Sequence, residues 1–281
     1  MKDFTLTNGN KVPALAYGTW LIKNENAKNC VLMALEAGYR HIDTAQAYGN
    51  EVGVGEGLKA SGLKREDIYV TTKVQAEHKT YKKAKKSIDE SLKKLGLDYV
   101  DLILIHCPQP WILFRSKRRF FKENIQVWKA LEEAYKEGKV KAIGVSNFLI
   151  DDLENIMNNC EIKPMVNQIL CHIGNTPVDV IKFCQENDIV VESYSPIAHG
   201  AALNDEKIKT MADKYGVSIA QLCIKYTLQL DTISIPKASS KEHIEDNAKL
   251  DFEISQDDMV ELIKLNKFDY GKDSFWPVFH K

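Results

Sequence analysis

Asp43 and Tyr48 stand five residues apart in GYRHIDTAQAYGNE, a carboxylate closing a short apolar run and a phenol in the loop that follows. Lys73 ends IYVTTK and His106 ends YVDLILIH. Alone, each is ordinary: an Asp after a strand is usually a helix cap, and a Tyr in a loop is usually packing. Together they put four titratable groups at or just beyond the carboxyl ends of three successive apolar runs. A free phenol has a pKa of about 10 and gives up its proton poorly at neutral pH, but an adjacent ammonium favours the phenolate and lowers that value. Lys73 can supply the ammonium, Asp43 the counter-charge that keeps it protonated, and His106 a hydrogen bond to a substrate oxygen. The plainer alternative is a buried ion pair of Asp43 and Lys73 with Tyr48 packed over it. The chain has no G-x-S-x-G elbow and no carboxylate cluster that suggests a metal. An acid facing a polarised carbonyl therefore needs an external hydride, which is nicotinamide chemistry.

The elements that must hold these residues alternate. Short strand-like runs at 14–17, 39–42, 68–73, 100–105, 141–145, 165–168, 189–194 and 232–235 are followed by helical patterns at 26–37, 51–60, 81–95, 122–137, 150–158, 178–187, 206–215 with 220–229, and 241–250. Eight such units, with turn-formers such as Gly38, Gly62, Gly96 and Gly138 between them, predict a closed (β/α)8 TIM barrel, whose active site lies at the carboxyl ends of its strands. A doubly wound open sheet is the other reading. It would carry a glycine-rich loop after its first strand, where only Gly18 stands. Gly53, Gly55 and Gly57 imitate a dinucleotide fingerprint, but Leu58 occupies the third glycine position and the run lies inside a predicted helix, so close helix packing explains them better. Asn8-Gly9 between two strand-like runs predicts a tight hairpin with both central residues at positive φ, a plug at the start of the chain.

With 281 residues, a net charge of −1 and 44% hydrophobic content, the chain fits one barrel domain over residues 1–281. There is no global field to draw nucleic acid, and the lysines at 82–94 mingle with acids at helical spacing, as on a solvated helix face. No stretch approaches the roughly 20 uncharged residues of a membrane span, so a cytoplasmic protein, as a monomer, is expected. Six cysteines without a C-x-x-C pair suit reduced thiols, and the adjacent Cys171 and His172 lack a second ligand pair for zinc.

The motifs themselves resemble the aldo-keto reductase family along almost the whole chain: GYRHIDTAQAYGNE, TTKV at 71–74, LGLDYVDLILIH at 95–106, GKVKAIGVSNF at 138–148, SYSP at 193–196 and IPKASSKEHIEDN at 235–247. The resemblance implies a catalytic tetrad on Asp43, Tyr48, Lys73 and His106, with Tyr48 as general acid. It assigns Ser146, Asn147 and Gln168 to the nicotinamide carboxamide, Tyr194 with Ser195 beside it to the ring, and Lys237, Ser239, His243 and Asn247 to the phosphate segment. Gly18, Thr19 and Trp20 match the first loop, and Trp20, Cys107 and Trp111 are expected around the substrate. NADPH is the implied cofactor and a small carbonyl compound the implied substrate. Two departures matter: Cys107 stands where tryptophan is common, and Ala238 and His243 replace a common serine and arginine. A histidine lacks the bidentate fork of arginine and is only partly charged near neutral pH, so NADH is expected as a usable second cofactor. The short carboxyl-terminal tail, shared with diketogluconate and small-aldehyde reductases, suggests an open, polar pocket for compact carbonyls. The competing reading is a nicotinamide-binding or regulatory barrel with little turnover, because this fold also resembles potassium-channel β subunits and lens crystallins.

Overall fold

The computed structural model describes residues 3–114, 116–265 and 268–279. Its hairpin, β1 (Asp3–Thr5) with β2 (Lys11–Pro13), leads into eight parallel strands in sequence order: β3 (Ala16–Gly18), β4 (His41–Asp43), β5 (Tyr69–Val74), β6 (Leu102–Ile105), β7 (Ile143–Ser146), β8 (Val166–Leu170), β9 (Val190–Tyr194) and β10 (Ile233–Ile235). Ser234 N–H donates to the Ala14 carbonyl at 2.9 Å and Gly18 N–H to that of Pro236, so the last strand meets the first and the barrel closes. Every residue of β5 and β6 is buried, as parallel strands with a packed interior and a helical outer layer require.

The helices α1 (Asn24–Glu36), α2 (Glu51–Ala60), α3 (Tyr81–Leu95), α4 (Phe121–Lys136), α5 (Ile150–Met157), α6 (Val178–Glu186), α7 (Glu206–Tyr215), α8 (Ile219–Gln229) and α9 (Lys241–Asp246) follow the expected alternation. In α3, Ala84, Ser87, Ile88, Ser91, Leu92 and Leu95 form the buried stripe at i, i+3, i+4 spacing, while Lys82, Lys83, Lys86, Lys93 and Lys94 face water. The glycines of α2 are packing residues: a Cβ on Gly55 would lie 2.1 Å from the Leu95 carbonyl oxygen, and one on Gly53 2.3 Å from that of Asn24. None of the described helices is long and apolar enough to cross a membrane.

Two expectations need correcting. Only Gly9 has positive φ in the hairpin; Gly9 N–H bonds to the Leu6 carbonyl and Leu6 N–H to that of Asn10, a longer turn with one left-handed residue at its end. It still plugs the barrel floor, where Asn8 and Asn10 donate to the Lys141 carbonyl and Leu6 and Val12 join Leu102, Leu104, Val166 and Ile233. The last helix of the sequence reading stops at Asp246 instead of 250, and an unforeseen α10 (Gln256–Ile263) follows, capped by Ser255 accepting from Asp258 N–H and buried through Met259 and Leu262. The tail then folds into two short 3-10 turns, Gly271–Phe275 and Pro277–Phe279.

Candidate active site

Strand register gathers the four titratable residues. Asp43 ends β4 and pairs with Thr71 of β5, and Lys73 lies two residues further along β5, on the same face. From there its Nζ reaches Asp43 Oδ1 at 2.7 Å, Asp43 Oδ2 at 2.8 Å, the Thr44 carbonyl at 2.9 Å and the Tyr48 hydroxyl at 3.2 Å. Burial works to lower the Lys73 pKa, but Asp43 and Tyr48 outweigh it and hold the pKa above the ordinary lysine value. Tyr48 arrives on a 3-10 turn, Gln46–Tyr48, ended by Gly49 at φ 71°. Because Lys73 donates to the phenol oxygen, the phenol's own proton is left to point into the cleft.

The expected lowering of the phenol is reversed in balance. Burial raises the Tyr48 pKa and Asp43 adds to it, with Lys73 only working against them. The phenol therefore stays protonated at neutral pH, the state an acid needs, while the Lys73 bond is in place for the charge that proton loss would leave.

His106, just past β6, sits edge-on to Tyr48 with ring centroids 5.6 Å apart, and against Trp111 at 5.1 Å. Burial, aided by the charges of Lys73 and Lys79, pushes its pKa well below 6.5. It is a neutral imidazole. Its Nδ1 is buried with no hydrogen-bond partner among the described residues, so the proton is better placed on Nε2, where it can donate to an oxygen in the cleft.

The cleft above these residues encloses about 1430 Å³. Gly18, Ser146, Asn147, Gln168, Tyr194, Ser195, Lys237, Ser239, His243 and Asn247 all line it, as do Trp20 and Trp111. Asn147, at φ 63°, gives its amide N–H to the His106 carbonyl and Ser146 Oγ and accepts from the Tyr194 hydroxyl. Gln168 Nε2 donates to Asp43 Oδ2 at 2.9 Å and Glu192 Oε2 at 2.7 Å, which turns its carbonyl oxygen into an acceptor for a ligand amide. A cleft larger than the usual 300–1,000 Å³ of a drug-sized site, with an amide acceptor beside the tetrad and Lys237 and His243 also in its lining, fits a dinucleotide together with a small substrate.

Thr19 and Cys107 do not reach the cleft. Thr19 is fully buried with Oγ1 donating to the Asp43 carbonyl, so it braces β4 from behind. Cys107 is 0% exposed, its carbonyl accepts from Lys79 Nζ, and Trp111 is the side chain packed beside His106. The tail also contributes to the pocket: Trp276, Pro277 and Val278 line it, and Trp276 packs edge-on against Trp20 at 5.3 Å. α9 is six residues long and its His243 N–H already goes to Ser240 Oγ, so recognition at that end rests on side chains.

Sequence reasoning missed several residues. Lys79 is buried, bonds Cys107 O and Asn124 Oδ1 behind His106, and is pushed down to about 8 by that burial. His199, in the lining of the cleft, meets Asp273 of the tail at 3.1 Å and packs at a tilt against Trp20, 5.2 Å between ring centroids. Glu192 is wholly inside the barrel. An acid in the middle of the strand VVESY was the available signal for it.

Comparison with known proteins identifies the family. A model of the Aldo/keto reductase family matches residues 14–267. A glyoxal reductase of Bacillus subtilis (strain 168) is 40% identical over 264 residues, 93% of this chain and 92% of that protein. A methylglyoxal reductase of Escherichia coli (strain K12) is 37% identical over 265 residues, 93% of this chain and 92% of its own length. A solved Bombyx mori aldo-keto reductase in complex with NADP superposes with a TM-score of 0.86 at 30% identity, covering 100% of this chain and 99% of that one.

Proposed function

This chain belongs to the aldo/keto reductase family, and on that premise we propose that it reduces compact aldehydes and ketones with NADPH, Tyr48 giving the proton. Carbonyl reduction by an NAD(P)H-dependent oxidoreductase follows from the family and from relatives named as reductases. The finer reading rests on one observation, the chain of hydrogen bonds from Asp43 through Lys73 to Tyr48 beside a neutral His106.

Ser146, Asn147, Gln168 and Tyr194 would hold the nicotinamide end, and Lys237, Ser239, His243 and Asn247 the phosphate end. The bound nicotinamide supplies the hydride that makes the carbonyl carbon an alcohol carbon. His106 Nε2–H and the Tyr48 hydroxyl converge on the substrate oxygen and orient the carbonyl. As negative charge grows on that oxygen, Tyr48 passes its proton across, and the Lys73 ammonium, held by Asp43, stabilises the phenolate left behind. Trp20, Trp111 and Trp276 keep water from the reacting carbonyl. Glyoxal and methylglyoxal, the compounds in the relatives' names, are the first substrates to try. The test is loss of NADPH absorbance with a panel of aldehydes and ketones. Turnover that favours small dicarbonyls supports the reading; tight cofactor binding without turnover of any carbonyl overturns it in favour of a binding protein.

A further inference from the structure

Gln168 and Glu192 are direct partners on adjacent strands, β8 and β9, and both point into the barrel, 2% and 0% exposed. The Gln168 amide nitrogen has two hydrogens and two acceptors: Asp43 Oδ2 at 2.9 Å, from across the barrel, and Glu192 Oε2 at 2.7 Å. One hydrogen bond fixes an atom but leaves the amide plane free to turn about it. Two fix the plane. We propose that Glu192 is a positioning residue, which pins the second N–H of Gln168 and so aims the amide oxygen at the carboxamide N–H of the nicotinamide. The inference rests on the cofactor reading of Gln168 given above.

The surroundings of Glu192 suit an uncharged acceptor. His41 Nε2 lies 3.9 Å from Oε1 and bonds Thr71 Oγ1 instead, and burial pushes His41 down to about 3, so it offers no cation. Tyr69, edge-on to His41, is also neutral, its phenol raised well above 10 by burial. The Lys73 ammonium is held by Asp43, Thr44 and Tyr48. Burial, reinforced by the Asp43 charge, pushes Glu192 up to about 8, so at neutral pH it is a carboxylic acid whose Oε2 accepts while Oε1, which has no hydrogen-bond partner among the described residues, can carry the proton. A neutral carboxyl accepts the amide proton without setting a second anion beside Asp43.

The test compares dissociation constants, by protein fluorescence, for NADP⁺ and its 3-acetylpyridine analogue, in which a methyl group replaces the carboxamide NH₂. Wild type should prefer NADP⁺ by roughly tenfold, the size of one hydrogen bond. Glu192→Gln, whose amide oxygen still accepts from Gln168, should keep that preference, and Glu192→Leu should lose most of it. If Glu192→Leu weakens both ligands equally and keeps the wild-type preference, Glu192 is only structural and the proposal is overturned. A wild-type ratio near one sinks the assignment of Gln168 to the carboxamide, and the proposal with it. A measurement on the wild type alone guards against a Leu variant that fails to fold. Both side-chain amide protons of Gln168, assigned with Gln168→Glu, should exchange slowly with solvent; fast exchange of either one contradicts the double anchor.

Discussion

Lys73 Nζ meets both oxygens of Asp43, at 2.7 and 2.8 Å, on side chains only 0% and 4% exposed, and the same ammonium touches the Tyr48 hydroxyl. A buried pair of this kind is weak evidence for stability, because desolvation offsets much of the attraction. Its geometry is better explained by what it does to the phenol.

Lys73→Met should slow reduction by roughly 100-fold or more with Tyr48 still in place, because the phenolate then forms in a buried site with no cation beside it. It should also destabilise the fold, by about 3–5 kcal/mol, through the unpaired Asp43. Single-turnover rates separate the two effects. A variant that folds and turns over normally at pH 7 would reduce the pair to a structural ion pair.

Glu192 gives stability an unusual pH dependence. Its folded pKa, about 8, lies above its ordinary 4.5, so the native state keeps a proton that the unfolded chain releases, and the stabilisation present below pH 4.5 is lost as pH rises through 8. The loss is on the order of 5 kcal/mol, as an upper figure. Glu192→Gln should therefore have a higher Tm than wild type at pH 8, and a shallower change between pH 5 and pH 8 in thermal melts. Equal slopes would mean that Glu192 is ionised in the native state.

Trp111, not Cys107, should set substrate size on the His106 side. Trp111→Ala should shift the ratio of kcat/KM for a bulky ketone over a small aldehyde upward by about tenfold. Cys107→Trp should overpack the interior and cost roughly 1–3 kcal/mol, lowering both substrates alike. A selective effect of Cys107→Trp on bulky ketones would restore Cys107 to the pocket.

In the phosphate segment, His243→Arg should raise the preference for NADPH over NADH by about tenfold, because a guanidinium adds a charged, forked donor to Lys237. The ratio of the two dissociation constants measures it. A wild-type ratio near one that the substitution leaves unmoved would remove the 2′-phosphate from this segment.

Much of the fold was legible because the barrel's elements are local: short apolar runs and helical stripes alternate eight times, and a residue at the end of such a run sits at one rim whatever its partners are. Asp43, Lys73 and His106 could be read from that alone. What could not be read depends on direction and on distant packing. Cys107 follows His106 in sequence but is wholly buried, with its carbonyl held by Lys79 Nζ. The tail's length says nothing of its path, which Trp20 and Asp273 decide by contact with Trp276 and His199. α10 was missed although Ser255 and Asp258 carry a capping signal, because the previous helix was read through Asn247 to Leu250. The sign of the Tyr48 shift needed the depth of burial, which no spacing encodes.

The most direct test of the account is Tyr48→Phe, studied with cofactor bound and a small aldehyde added, by single-turnover absorbance alongside fluorescence titration of NADPH. The ring and its packing on His106 remain, and only the proton is lost. The expected result is a fall in rate of about 10²–10⁴, with cofactor affinity nearly unchanged. A variant that keeps more than a tenth of the wild-type rate, a loss of no more than about 1.4 kcal/mol, would mean that Tyr48 is not the acid.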